Sequence, residues 1–331
     1  MPKLTLQSTM WEMEHIPELG AFSRYVMYTG GQGETPEQFA KMPIAGVKEM
    51  GWSPEGIVNG LNFLIESLEN GRAKPYRVYA PEECAEDPQK ADVNVVRLEP
   101  EKPDPARPYI VLCSGGAYQT VCSGAESYPT AAHFVKLGYQ VFVVTYRIGG
   151  TRVLPKALDD VAAALRFIRA RSEEFGLDPD AYAIAGWSAG GNLVCTWGTE
   201  SAGWGAHGLP KPKAMFTVYP VADLDALDSA DKDGMFLDTM FGPERTPEEM
   251  ERCNPARNID ANYPPCYIVC GRDDATVACV QSETLKKLLD AAGVPAVLNE
   301  AEHAAHGFGD GTGTDAEGWP EAAIKFLESL K

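Results

Sequence analysis

The stretch Tyr182-Ala183-Ile184-Ala185-Gly186-Trp187-Ser188-Ala189-Gly190-Gly191-Asn192-Leu193 reads as an apolar run, a turn of small residues and the start of a helix. Leu193, Val194 and Trp197 then recur at helical spacing. The centre, Gly186-Trp187-Ser188-Ala189-Gly190, fits G-x-S-x-G, a pattern that makes physical sense on a sharp strand-to-helix turn. Such a turn strains the backbone at Ser188 and stands its hydroxyl clear of the sheet. Gly186 and Gly190 are expected where a Cβ would collide with the neighbouring strand or helix. The N–H of Ala189 would point at an oxyanion formed beside Ser188, aided by the helix N-terminus. Five letters alone occur often by chance, so the surrounding chain has to carry the reading.

Outward from this turn, strands and helices alternate. Upstream, Tyr109-Ile110-Val111-Leu112 and Val141-Phe142-Val143-Val144-Thr145-Tyr146 are buried-type strands. Ala131, Ala132, Phe134, Val135 and Leu137 predict a crossover helix between them, and Leu158, Val161, Ala162, Leu165 and Ile168 predict a long helix after Pro155. Arg77-Val78-Tyr79 and Val93 to Leu98 read as opening strands. Downstream come strands at Ala214 to Tyr219, Tyr267 to Cys270 and Ala296 to Glu300, and a closing helix from Pro320. This alternation predicts an α/β fold with a mostly parallel sheet covered on both faces over residues 75–331. Chemistry in such a sheet collects at the carboxyl ends of the strands.

Two regions fall outside the alternation. Residues 1–74 predict a helical extension packed on the main domain. Thr35-Pro36-Glu37-Gln38 opens one helix with a capping box, and Ser53-Pro54 opens another, with the stripe Ile57, Leu61, Leu64, Ile65 and Leu68 closed by Asn70-Gly71. Gly30-Gly31-Gln32-Gly33 reads as a plain turn, with neither the strand before it nor the Lys-Ser/Thr after it that a phosphate loop needs. Residues 221–265 form a long cap-like excursion, with Met235, Phe236, Met240 and Phe241 as an expected apolar lining.

A serine hydroxyl needs a base to take its proton and a carboxylate to hold that base. Of five histidines, His306 lies in the glycine-rich stretch after the last strand, with His303 as its rival. Asp273 and Asp274 compete for the carboxylate in Cys270-Gly271-Arg272-Asp273-Asp274-Ala275-Thr276-Val277. A second oxyanion donor is expected after the Leu112 strand, where Cys113-Ser114-Gly115-Gly116-Ala117-Tyr118 supplies Gly116 and Ala117. Tyr118 and Trp187 are the expected substrate contacts. His303-x-x-His306 lacks the third ligand a zinc site wants, so neither metal nor cofactor is expected.

These residues carry a resemblance. The chain resembles the α/β-hydrolase superfamily, and within it the esterase/lipase branch of acetyl-xylan-esterase-like enzymes. The resembling stretches are Leu112 to Tyr118, Glu126-Ser127-Tyr128-Pro129-Thr130-Ala131, Gly138 to Arg147 and Pro155 to Asp160. They continue through Gly176-Leu177-Asp178-Pro179, Gly186 to Leu193, Gly271 to Val277 and His306-Gly307-Phe308. The family's G-x-x-D-x-x-V and H-G-F patterns place the carboxylate on Asp274 and the base on His306. Ser114 and Ala117 depart from the usual oxyanion-loop residues, and Trp187 and Asn192 from the commoner Phe and His. The resemblance implies an esterase acting through Ser188 on a small-molecule ester with a short acyl group, including acylated sugars. Amide or formamide hydrolysis is the alternative within enzymes, and a non-catalytic binding protein the alternative outside them.

Composition bounds the rest. The 331 residues carry a formal net charge of −18, which disfavours broad nucleic-acid binding. No apolar run approaches the ~20 residues of a membrane span, and Met1 to Gln7 shows no leader pattern, so a cytoplasmic location is expected. Eight cysteines without a C-x-x-C pair read as free thiols, several of them buried.

Overall fold

The computed structural model describes residues 3–29, 37–230 and 233–330. The Thr35-Pro36 cap and the Gly30 to Gly33 turn lie outside the described residues.

Eight strands form one sheet in the order β1-β2-β4-β3-β5-β6-β7-β8. Their ranges are β1 Ala73–Arg77, β2 Asn94–Leu98, β3 Tyr109–Cys113, β4 Val141–Thr145, β5 Tyr182–Trp187, β6 Ala214–Val218, β7 Cys266–Gly271 and β8 Ala296–Ala301. The pairs β1/β2 and β2/β4 are antiparallel, and every other neighbouring pair is parallel. Strands β3, β4, β5, β6 and β7 are buried along their whole length, which matches their unbroken apolar runs. Edge strand β1 holds Pro75, which an interior strand would not tolerate. It begins at Ala73 and so straddles position 74, and the expected strand at Arg77 to Tyr79 is displaced towards the N-terminus.

Strand alternation sends Val111 to one face and Ile110 and Leu112 to the other. The first face is covered by helices Val153–Arg169, Ser188–Trp197, Met235–Phe241 and Val280–Ala291. The second is covered by helices Pro54–Glu69, Ser127–Lys136 and Trp319–Ser329 together with the N-terminal residues Met10, Met13, Val26 and Ile44. The Pro54 helix starts as its sequence indicates, with Ser53 Oγ accepting the Gly56 N–H at 3.1 Å. It crosses the Ser127 helix at Gly60, where a Cβ would lie 2.8 Å from the Tyr128 carbonyl carbon.

The strand order explains where a site can form. After β3 the chain moves to one side for β4, then returns to the other side of β3 for β5. The connections leaving β3 and β5 therefore run to opposite sides, and the carboxyl ends of these two strands are the place where a site is expected.

Candidate active site

The turn after β5 has the geometry its glycines allow. Ser188 sits at φ 51°, a left-handed conformation that costs a non-glycine residue about 1–3 kcal/mol and persists only where the surroundings enforce it. Enforcement comes from close packing. A Cβ on Gly190 would overlap the carbonyl oxygens of Cys113 and Ser114 at the end of β3. A Cβ on Gly115 would lie 2.6 Å from the Trp187 carbonyl oxygen and 2.9 Å from Ser188 Cβ. The β3 loop and the serine turn thus touch through backbone, which only residues without side chains permit.

Ser188 Oγ lies 3.0 Å from His306 Nε2, and His306 Nδ1 lies 2.7 Å from Asp274 Oδ2. The Asp274 side chain is wholly buried, and its other oxygen accepts the N–H groups of Thr276 and Val277 at 2.8 Å each. The carboxylate is therefore aimed from two sides before it meets the imidazole. The rivals separate from this group. Asp273 Oδ1 accepts the Ala304 N–H at 2.8 Å, and His303 is largely exposed, with Nδ1 3.8 Å from Asp273.

The loop after β3 coils through three consecutive positive φ values: 128° at Gly116, 56° at Ala117 and 58° at Tyr118. It is closed by the N–H groups of Gln119 and Thr120, both donating to the Gly116 carbonyl at 2.9 Å. Among the described residues, none accepts the N–H of Gly116, Ala117 or Ala189. Ser114, which departs from the family pattern, is tied at both ends. Its Oγ meets Ser127 Oγ at 2.5 Å, and its carbonyl accepts the Tyr146 hydroxyl at 2.6 Å.

The two expected substrate contacts are not brought to this opening. Trp187 is fully buried, donates Nε1–H to the Gly309 carbonyl at 3.2 Å, and packs edge-on against Trp319. Strand alternation decides this: Trp187 ends β5 pointing into the second face, opposite in sense to its neighbours along the strand. Tyr118 is also buried, its hydroxyl donating to Asn192 Oδ1 at 2.8 Å while Asn192 Nδ2 donates to the Val221 carbonyl. Both are packing residues that hold the loop and the turn.

Other side chains reach the site that were given no role in it from the sequence. Tyr219, at φ 37°, lays its ring 4.7 Å from the His306 ring and 4.7 Å from Phe308. Its hydroxyl donates to Glu126 Oε1 at 3.0 Å, and Glu126 Oε2 accepts the Gly115 N–H at 2.5 Å. Burial pushes the Glu126 carboxyl up to about 7, against the pull of these two bonds and of nearby His306. A polar residue within a run of small and apolar ones was the available hint. The N-terminal region also reaches the site: Tyr28 pairs with Val121, and Trp52 abuts Gly307, whose Cβ would lie 2.6 Å from the indole.

The cysteines differ from expectation. Cys270 and Cys279 are joined by a disulfide, because the Asp274 turn brings the end of β7 and the head of the Val280 helix to a Cα–Cα distance of 5.6 Å. The other six are free, and all of them except Cys84 are buried. Among the described residues, one group of three possible metal ligands, Cys279, Glu283 and Glu300, has its ligand atoms within 4.8 Å of one another, and the Cys279 sulfur is already bonded to Cys270. No helix of the described residues is long and apolar enough to cross a membrane.

Residues 97–289, more than half the chain, match the family described as BD-FAE. The chain belongs to that family. It is similar to the probable carboxylic ester hydrolase LipM of Mycobacterium tuberculosis, 27% identical over 218 residues covering 61% of this chain and 49% of that protein. It is also similar to an acetylxylan esterase of Xylanibacter ruminicola, 27% identical over 169 residues covering 51% of this chain and 32% of that protein. The chain spans about half the length, or less, of the curated relatives it matches first. Among solved structures, the propionate-bound thermophilic esterase of Thermogutta terrifontis aligns with a TM-score of 0.63 and 25% identity, covering 78% of this chain and 94% of that one. The fold is that of the α/β-hydrolases.

Proposed function

We propose that this protein is a serine-dependent hydrolase of carboxylic esters. The observation that carries the reading is the line Ser188 Oγ, His306 and Asp274, at 3.0 and 2.7 Å, on a turn that holds Ser188 at positive φ. Ser188 attacks the acyl carbon while His306 Nε2 takes the hydroxyl proton. Asp274 keeps the other ring proton on Nδ1 and favours the imidazolium that results. The unpaired N–H groups of Ala189 and of Gly116 or Ala117 receive the oxyanion. The imidazolium then protonates the leaving alcohol, and water, activated by the same His306, hydrolyses the acyl-enzyme.

Short acyl esters, including acetylated carbohydrates, are the proposed substrates. Similarity to an acetylxylan esterase and to an esterase holding propionate supports this. Tyr118 and Trp187 are both buried in the packing and add nothing to this assignment. The test combines labelling by a fluorophosphonate probe with rates on p-nitrophenyl acetate, p-nitrophenyl octanoate and a matched anilide. Labelling lost in Ser188→Ala, and kcat/KM higher on acetate than on octanoate or anilide, are the expected results. Labelling that survives the substitution overturns the mechanism, and a preference for octanoate overturns the acyl assignment.

A further inference from the structure

We propose that Glu126 is a positioning residue that sets both halves of the Ser188 site, aiming the oxyanion loop through the Gly115 N–H and seating the His306 ring through Tyr219. The proposal rests on the ester-hydrolase reading above. Glu126 precedes the Ser127 helix and is only 4% exposed. A carboxyl group this deep is costly unless its oxygens are occupied. Here each oxygen is occupied by a donor belonging to a different part of the site: Gly115 N–H on Oε2 and the Tyr219 hydroxyl on Oε1.

On the first side, the bond fixes the peptide joining Ser114 to Gly115. That peptide is the entry to the coil at Gly116, Ala117 and Tyr118, so its plane sets where the next N–H groups point. It also lies close to Ser188: a Cβ built on Gly115 would be only 2.9 Å from Ser188 Cβ. Hydrogen bonds to a carboxylate are stronger and shorter than those to a neutral oxygen, so the aim is stiff. Ser127, the next residue, holds the neighbouring Ser114 by its side chain, hydroxyl to hydroxyl.

On the second side, Tyr219 holds a left-handed backbone that a bulky side chain does not adopt unaided. Its hydroxyl bond to Glu126 anchors the ring that lies against His306. The same hydroxyl lies 3.4 Å from the Gly309 N–H, within the loop that carries the base. In its ionised form, which predominates above about pH 7, Glu126 behind Tyr219 also favours the positive His306 that appears beside the tetrahedral intermediate. A glutamate that merely satisfied one buried amide would need neither the second bond nor the charge.

The test compares wild type, Glu126→Gln and Tyr219→Phe on p-nitrophenyl acetate, with active sites counted by fluorophosphonate titration and folding followed by Tm. Glutamine keeps the shape and one acceptor but loses the charge. Expected for Glu126→Gln is a fall in kcat of about tenfold, below the 10²–10³-fold of deleting an oxyanion donor, with KM within about twofold. Tyr219→Phe is expected to lower kcat by about threefold, again with KM nearly unchanged. Per titrated site, a kcat of Glu126→Gln within about twofold of wild type overturns the proposal, as does a loss that appears in KM instead. If Glu126→Gln does not fold, Tyr219→Phe decides by the same criteria. An inactive Ser188→Ala beside an unchanged Glu126→Gln refutes the positioning role alone. An active Ser188→Ala refutes the serine mechanism itself.

Discussion

Two regions lie outside the strand–helix repeat, and they touch the candidate site in different ways. The N-terminal region holds it by backbone. Tyr28 exchanges hydrogen bonds with Val121 at 3.1 and 2.8 Å, just past the proposed oxyanion loop, and Gly124 N donates to the Val26 carbonyl at 2.7 Å. Gly51 meets the other side, where a Cβ would overlap the His306 carbonyl oxygen. The 221–265 excursion instead packs by side chains. Leu237, Met240 and Phe241 are buried in the first-face core with residues of the Val153 helix, and of the expected apolar lining Met235 alone is prominently exposed. Its link to the site is one step removed, from the Val221 carbonyl through Asn192 to Tyr118. Backbone contacts transmit small displacements stiffly, whereas a packed side-chain cluster stabilises the fold without fixing any one atom of the site. The N-terminal region should therefore govern rate and the excursion should govern stability.

The scale for that comparison is set by Ser188→Ala, expected to lower kcat by about 10⁴-fold or more while leaving the fold intact, as measured by ester turnover and circular dichroism. Next comes Gly51→Val. Its side chain must displace the His306 carbonyl, and a displacement near 1 Å is expected to lower kcat/KM by about 10²-fold. Steady-state kinetics on folded enzyme check it, and an unchanged rate would break the claim that the N-terminal region positions the base. Phe241→Ala is the counterpart in the excursion. It should cost about 3–5 kcal/mol of stability in urea titration, with kcat/KM of the folded fraction within about threefold of wild type.

A pH test reaches the same base loop from behind. His133 lies 3.2 Å from Asp310 on that loop and 2.6 Å from Glu321 on the last helix. The hydrogen bond to Asp310, then that to Glu321, raises its pKa above the ordinary value, with burial opposing. The folded form therefore holds the proton more tightly than the unfolded form. Its contribution is fully present below about 6.5 and is lost as pH rises through the folded value. The Tm gap between wild type and His133→Gln should be widest below pH ~6.5 and narrow above it. A gap that widens with pH reverses the sign and refutes the ion pair.

The smallest effect is expected at the Cys270–Cys279 bond. It brackets the Asp274 turn, yet Asp274 is independently aimed by two N–H bonds. Cys279→Ser should change kcat/KM by less than about threefold; a larger loss would make the disulfide, not the turn, the support of Asp274.

Local patterns make much of this molecule legible in the sequence. Burial on both faces writes unbroken apolar runs, so β3 to β7 could be placed to within a residue or two. The serine turn was legible because close backbone approach demands small residues within a few positions of one another. The cap on the Pro54 helix was legible because its hydrogen bond closes over three residues.

What only the tertiary structure decided involves partners far apart in the chain or the direction of a side chain. Trp187 and Tyr118 stood beside the motifs, but which way they point depends on strand register and on Asn192, Trp319 and Gly309. The disulfide required the turn between its cysteines to be folded first. Glu126 meets a glycine 11 positions before it and a tyrosine 93 positions after it. Sequence alone pointed to the proposed nucleophile, because the turn that presents it is written in neighbouring residues. The support around it came from the fold, because packing distance is unrelated to distance along the chain.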